Sequence, residues 1–374
     1  MKKMKSRVLS VISAFILTFG AILIIPMGQA LAASPTWSSP SNFDGSTNLE
    51  MISCISTTFC MAVDSTGNAF NYNGTTWSSA THVSNVTLTS ISCTSTTFCV
   101  TVDSGGNVYN YNGTTWSSLT NIDNPSNNGL TGVSCTSTTF CMALDYNGNF
   151  LNYNGTTWTS AANLSSPHFL TSGISCSSSF CMAGDNAGNV YNYNGTTWSS
   201  ATSLTSSRLE ISCISSSFCM AGDNAGNVYN YNGTTWSSAT NIDSSNGLNS
   251  VSCTSTTFCM AVDQHGNAFN YNGTTWSSAT NIDSSINLIS VSCTSTTFCM
   301  AVDNVGNALV YSVASVSVVV PSTTAPAPKA PDTGSALTKS PYELPLIGSL
   351  MIAGGIYYIS RRLKTSSATT PKKR

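Results

Sequence analysis

The sequence predicts an all-β protein: a seven-bladed β-propeller of about 40-residue, four-stranded repeats, closed by its own N-terminal strand. Three observations lead there. A unit containing two cysteines recurs seven times, with first cysteines 39, 42, 41, 37, 40 and 40 residues apart. Each unit carries four short strand-like runs separated by turn signals. The array also begins with a fragment that its last unit lacks.

The repeat is anchored by Phe-Cys followed by an apolar run and Asp. The first cysteines of the units are Cys54, Cys93, Cys135, Cys176, Cys213, Cys253 and Cys293. The second cysteines are Cys60, Cys99, Cys141, Cys181, Cys219, Cys259 and Cys299. Four residues after each second cysteine stands an Asp: Asp64, Asp103, Asp145, Asp185, Asp223, Asp263 and Asp303. Six units continue into Asn-Gly-Thr-Thr-Trp, ending seventeen residues after the second cysteine at Trp77, Trp116, Trp158, Trp198, Trp236 and Trp276. In the sixth unit, strand A is expected near Ser250–Cys253, strand B near Phe258–Asp263 and strand C near Ala268–Tyr271. The Asn272-Gly273 pair reads as a tight hairpin turn, and strand D is expected near Thr275–Ala279.

The seventh unit has Val316 where Trp is due, while Trp37 precedes Cys54 by seventeen residues, within the 15–19 range of the other Trp-to-Cys spacings. The chain therefore starts with an isolated strand D, which can complete the last blade. An open solenoid, the alternative architecture, gains nothing from that permutation and calls for capping units. Ser312–Val320 is also strand-like and is a rival for the same place.

The ends read as addresses. Residues 1–32 have a basic start, an apolar run and Ala30-Leu31-Ala32, the pattern of a secretory signal peptide, with an uncleaved anchor as the alternative. The propeller is assigned to residues 33–320, and a Pro-, Ala-, Ser- and Thr-rich linker to 321–343. Residues 344–360 are apolar and fit a short transmembrane segment, and 361–374 form a basic tail expected inside the cell. Export implies an oxidising compartment, so the fourteen cysteines are expected as seven cystines, each within one unit. Zinc is the rival reading of closely spaced cysteines, but no His recurs with the repeat.

Pro331-Asp332-Thr333-Gly334, an apolar stretch and a basic tail together resemble the sorting signal of sortase-anchored bacterial surface proteins. The resemblance implies cleavage between Thr333 and Gly334 and attachment to the cell envelope. Ala330 stands where that motif has Leu. A plain membrane anchor is the alternative, and both place the body outside.

Asn71, Asn73, Gly74, Thr76 and Trp77 resemble a degenerate Asp-box, the motif of bacterial sialidase-type propellers, with Asn for the signature Asp. The whole repeat is similar to Cys-paired propeller repeats of secreted bacterial proteins. The resemblance implies a sialidase-like fold but not the enzyme. Sialidases hold a substrate carboxylate with three arginines, and Arg208 is the single basic residue between residues 8 and 328.

That stretch also holds eleven Asp and two Glu, a formal charge of −12, although the whole chain nets −2 and only 7% of it is charged. Nucleic-acid binding is excluded by the lack of Lys and Arg. Topology places all thirteen acids at the end of the disc formed by the B–C turns and D–A connections. The seven turn Asp are expected to cap backbone N–H groups. The functional alternative is a Ca2+ site, and Asp123, Asp145, Glu210 and Asp263 are the candidate acidic-face residues. His82, His168 and His265 fall at unrelated offsets and read as solvated. The D–A connections, above all Asn124–Gly132 and Ser165–Gly173, carry nearly all the length variation and are the specificity candidates.

The function expected from the sequence is a surface-anchored, monomeric, non-enzymatic propeller that binds an extracellular glycan or protein. A glycoside hydrolase or lyase using paired carboxylates and a passive structural protein are the alternatives.

Overall fold

The computed structural model describes residues 34–123, 129–163, 170–244 and 246–313. It places these in seven antiparallel sheets, one per repeat. Among the described residues no helix is long and apolar enough to cross a membrane. The expected signal peptide, linker, sorting motif, transmembrane segment and basic tail lie outside the described residues, as does His168.

Each blade follows the order A, B, C, D. In the first, A is Leu49–Ser56, B Phe59–Asp64, C Asn68–Tyr72 and D Thr81–His82. The B strand is buried along its whole length, because neighbouring blades cover both faces of the central strands. That explains its unbroken apolar run, Phe-Cys-Met-Ala-Val, in place of an alternating pattern. The core consequently lies between blades. Met61, Val63 and Ala69 of blade 1 meet Leu88, Ile91 and Tyr109 of blade 2, and equivalent clusters fill the other junctions.

The A strands of successive blades are tied by one recurring hydrogen bond. The Ser before each first cysteine accepts from the amide of the first cysteine in the next blade. The seven links are Ser53–Cys93 at 3.0 Å, Ser92–Cys135 at 2.9 Å, Ser134–Cys176 at 3.0 Å, Ser175–Cys213 at 2.9 Å, Ser212–Cys253 at 3.0 Å, Ser252–Cys293 at 2.9 Å and Ser292–Cys54 at 2.9 Å. The last link joins blade 7 to blade 1, so the ring is closed and a solenoid is excluded.

The N-terminal segment supplies the outer edge of the last blade. Pro35–Trp37 pairs with Tyr311–Val313, and Ser41–Asn42 pairs with Asn307 and Ala308. Ser312 and Val313 extend strand C, and the rest of the rival run, 314–320, lies outside the described residues. Deleting residues 34–42 is expected to lower the melting temperature by about 10 °C, read by differential scanning calorimetry. An unchanged transition would mean that closure depends on the A strands alone.

The D strand departs from expectation. In blade 6 strand pairing occurs at Trp276, as an isolated bridge to Tyr271, and again at Thr280–Asn281, not along Thr275–Ala279. The Ser277 hydroxyl explains the interruption. It accepts from the Asn270 amide at 3.0 Å and donates to the Ser278 carbonyl at 2.8 Å, so a side chain takes a ladder position. Ser38, Ser78, Ser117, Ser199 and Ser237 repeat this arrangement. Blade 3 has Thr159 at that position, and its D strand is continuous from Trp158 to Asn163. A β-branched residue favours extended backbone and leaves the hydroxyl less free to bridge.

All seven expected cystines form, each joining its own A and B strands. Cys54 bonds to Cys60, Cys93 to Cys99, Cys135 to Cys141, Cys176 to Cys181, Cys213 to Cys219, Cys253 to Cys259 and Cys293 to Cys299. The pairs are asymmetric in their surroundings. Cys60, Cys99, Cys141, Cys181, Cys219, Cys259 and Cys299 sit on the central B strands and are fully buried, whereas their strand A partners lie nearer the surface. No free cysteine remains to hold zinc.

Candidate functional site

Two features recur around the ring: a sealed set of carboxylates at the B–C turns, and an open groove between the outer strands of adjacent blades.

Each turn Asp is fully buried. Asp263 Oδ1 accepts from the amides of His265 at 2.8 Å and Asn267 at 2.7 Å, while Oδ2 accepts from Asn267 Nδ2 at 2.6 Å. Asp145 receives the amides of Asn147 at 2.9 Å and Asn149 at 2.7 Å, together with Asn149 Nδ2. These carboxylates cap the turns, whose Gly residues, such as Gly266 at φ +77°, take a conformation that L side chains avoid. Asp123 is 5% exposed, and Glu210, 7% exposed, pairs with Arg208 at 3.3 Å. The four acidic candidates are therefore enclosed: Asp123 lies in the connection that leads to the blade of Asp145, and Glu210 and Asp263 lie in blades 5 and 6. Eleven of the thirteen acids that the sequence assigns to one end of the disc are buried and Asp44 and Glu50 are half-buried, so that end is not an open acidic surface. Among the described residues no group of three or more His, Cys, Asp or Glu is placed to hold a metal ion. His82 and His265 are exposed, and His82 lies 3.3 Å from Asn68 Oδ1 and 3.2 Å from Asn85 Oδ1.

The D–A carboxyls behave differently from the turn carboxyls. Burial, with Asp64 as a charged and hydrogen-bonded neighbour, pushes Asp44 up to about 7. Asp283 is likewise pushed up to about 7 by burial and by Asp303. Burial also raises Glu50, against the Asn48 amide that donates to it.

The grooves are built from the aromatic pair that ends each C–D hairpin. Asn272 Oδ1 accepts from the amides of Thr274 and Thr275, both at 3.0 Å, which fixes the hairpin. Trp276 then leans on Tyr271 with ring centroids 5.4 Å apart. This pair forms one wall of a cavity of about 620 Å³ between blades 5 and 6, faced by Met220, Asn230 and Thr240. Grooves of about 630 Å³ repeat between blades 4 and 5, with Tyr231 and Trp236 facing Asn192 and Ser199, and between blades 6 and 7, with Trp37 and Tyr311 facing Asn270 and Ser277. Between blades 7 and 1 the groove shrinks to about 470 Å³. There Phe43 stacks on Trp77 at 4.2 Å, where other blades have Val83, Ile122, Leu204, Ile242 and Ile282. A fifth groove of about 280 Å³ lies between blades 1 and 2.

No Asp, Glu, Lys, Arg or His lines any of these five grooves. They offer aromatic faces, hydroxyls and amides. Asn192 Oδ1, on the wall between blades 4 and 5, is buried and accepts no hydrogen bond from the protein; Asn110 and Asn152 share that condition at the same strand position. The Trp and Tyr recur in the sequence as fixed positions of the repeat. The structure makes them packing residues with one side turned to a groove, and brings in the strand C Asn that sequence reasoning passed over.

No protein-family model matches the chain, and no curated protein does. Solved structures match at the level of fold. YCF48 bound to D1 peptide is 14% identical, with a TM-score of 0.62 over 74% of this chain and 96% of that one. YCF48 from Cyanidioschyzon merolae is 13% identical, with a TM-score of 0.60 over 74% and 98%. A catalytically inactive virginiamycin B lyase from Staphylococcus aureus with quinupristin is 7% identical, with a TM-score of 0.66 over 75% and 99%. At these identities the likeness shows the propeller fold alone.

Proposed function

We propose that the protein is a non-enzymatic binding propeller displayed on the cell surface, whose inter-blade grooves take a neutral, polar chain, a glycan in the first instance. The repeated uncharged groove carries this reading. Sugar rings stack on aromatic faces through their C–H bonds and exchange hydrogen bonds with amides and hydroxyls, and these are the groups present. Repetition around the ring suits a repeating polymer, because several weak sites on one scaffold multiply avidity. The enclosure of Asp123, Asp145, Glu210 and Asp263 counts against the glycosidase reading, which needs two accessible carboxyl groups. Anchoring by sortase at Thr333 and Gly334, or by a membrane segment at 344–360, is part of the same proposal. The intact mass of envelope-released protein distinguishes the two.

The test is a glycan array with the purified chain. Binding to neutral glycans that persists in EDTA and at raised salt is the expected result. Trp236→Ala and Trp276→Ala are each expected to weaken binding about 2- to 10-fold, from the loss of stacking worth roughly 0.5–1.5 kcal/mol. An array without a hit favours the passive structural alternative. Loss of binding in EDTA favours a cation at the carboxylate end. A second reading, an extended peptide as ligand, is favoured by the YCF48 structure with its bound peptide; a peptide array run in parallel decides between them.

A further inference from the structure

Seven residues after each Trp, counting Trp37 as the first, the chain has Asp44, Ser84, Asp123, Ser165, Thr205, Asp243 and Asp283. Six residues after each turn Asp it has Phe70, Tyr109, Leu151, Tyr191, Tyr229, Phe269 and Leu309. The two series move together without exception. A loop Asp goes with Phe or Leu, and a loop Ser or Thr goes with Tyr.

The structure gives the reason. In blades 2 and 5 both positions converge on Oδ2 of the buried turn Asp. In blade 2 that oxygen accepts from Ser84 Oγ at 2.8 Å and Tyr109 Oη at 2.9 Å. In blade 5 it accepts from Thr205 Oγ1 at 3.1 Å and Tyr229 Oη at 3.0 Å. Tyr191 Oη reaches Asp185 at 3.1 Å in blade 4; Ser165 lies outside the described residues. Hydroxyls donate at any ordinary pH. In blades 1 and 7 neither of these two positions carries a hydroxyl, and Asp44 and Asp283 meet the turn carboxyls of Asp64 and Asp303 instead; Asp64 Oδ2 also accepts from Thr66 Oγ1 of its own turn at 2.9 Å. Oδ2 of Asp44 and of Asp283 is buried and receives no protein N–H or O–H donor. Two carboxylates cannot hydrogen-bond each other, whereas a carboxylic acid and a carboxylate can. Asp123 and Asp243 hold the same repeat position before Asp145 and Asp263.

We propose that four of the seven blade junctions are proton-dependent clasps, in which a D–A loop Asp shares one proton with the turn Asp of the following blade. Blades 2 and 5 carry proton-independent hydroxyl clasps in the same place. The device positions the D–A connections, which flank the grooves of the proposed function but do not depend on that reading. Among the described residues Arg208 is the single Lys or Arg, and it does not neutralise the pairs. Arg208 is engaged with Glu210, Glu50 adds a further carboxyl beside Asp64, and His82 reaches Asn68, which donates to Asp64, and Asn85. Near Asp283, the His265 backbone carbonyl accepts from Asn281.

The direction follows from linkage. A carboxyl held above its unfolded value binds its proton more tightly when folded. Its contribution is complete below the unfolded value, 3.8, and is lost as pH rises toward about 7. The purified full-length chain should therefore melt at progressively lower temperature from pH 4.5 to 7 and level off above that. Intrinsic tryptophan fluorescence is the readout, since all seven Trp lie in the ring. Asp44→Asn and Asp283→Asn keep a donor without the titration and should raise the melting temperature at pH 8 and flatten the profile. Ser84→Asp combined with Tyr109→Phe should add a proton-dependent junction and steepen it. A flat wild-type profile, or a slope unchanged by the two Asn variants, overturns the proposal. So does a rise in melting temperature at pH 8 on adding Ca2+ that EDTA reverses, because the pairs would then hold a cation. Should the variants not fold, carboxyl 13C NMR of Asp-labelled wild-type protein decides: resonances titrating near pH 7 support the clasps, and Asp titrations confined below pH 5 overturn them.

Discussion

Full reduction of the seven cystines is expected to abolish the cooperative thermal transition of the ring at moderate temperature. Each bridge closes a short A–B hairpin loop, with partners six residues apart in six blades and five in the fourth. Chain entropy assigns roughly 2 kcal/mol to a loop of that size. Seven of them sum to more than about 10 kcal/mol even with partial non-additivity, which rivals the net stability of a typical domain, about 5–15 kcal/mol. The second cysteine of every pair is fully buried and its strand A partner lies nearer the surface, so a reductant meets the bridge from the strand A side, and added denaturant completes the reduction. A single bridge removed by the paired substitution Cys253→Ala and Cys259→Ala should cost about 2 kcal/mol, a fall of roughly 5 °C. Thiol titration to fourteen groups with an unchanged melting curve would show that blade stacking alone holds the disc.

Much of this architecture was legible because a repeat writes each structural requirement seven times. Phe258–Asp263 was placed to the residue, since a strand covered on both faces must be apolar throughout. The permuted Trp37 announced the closure, and cysteines flanking one hairpin announced their own pairing. What failed was anything decided by the neighbouring blade. Asp145 and Asp263 were legible as turn caps, but their complete burial was not; over Asp103 the cover includes Ser84, from the connection that leaves the preceding blade. The burial of Cys60 and its six counterparts has the same origin, since the cover comes from the adjoining sheet. The ring of Ser hydroxyls is a further case. A Ser before every first cysteine is visible in the sequence, yet its partner lies 38 to 43 residues away in six of the links. The D strand was misplaced because its Ser, read as an ordinary strand residue, bonds the ladder through its side chain. The grooves were the least legible feature of the candidate site. They exist only where the Trp and Tyr of one blade face the strand C Asn of another.

Asp103→Ala is expected to be among the most destabilising single substitutions in the protein, at about 3–5 kcal/mol. The carboxylate is fully buried and gathers donors from three directions. The amides of Gly105 and Asn107 reach Oδ1, both at 2.9 Å, and Asn107 Nδ2 reaches Oδ2 at 3.0 Å. Ser84 Oγ and Tyr109 Oη complete Oδ2. Alanine leaves all of these unpaired in a dry junction, and an unmade bond costs more than a made one contributes. Removing one donor is milder. Ser84→Ala and Tyr109→Phe should each cost about 1 kcal/mol, since Oδ2 keeps its other partners. Their double mutant should cost more than the sum, because each hydroxyl covers for the loss of the other; urea denaturation of the three variants gives the coupling. Strict additivity would mean that the hydroxyls act independently and that their joint occurrence in blades 2 and 5 reflects only the filling of space.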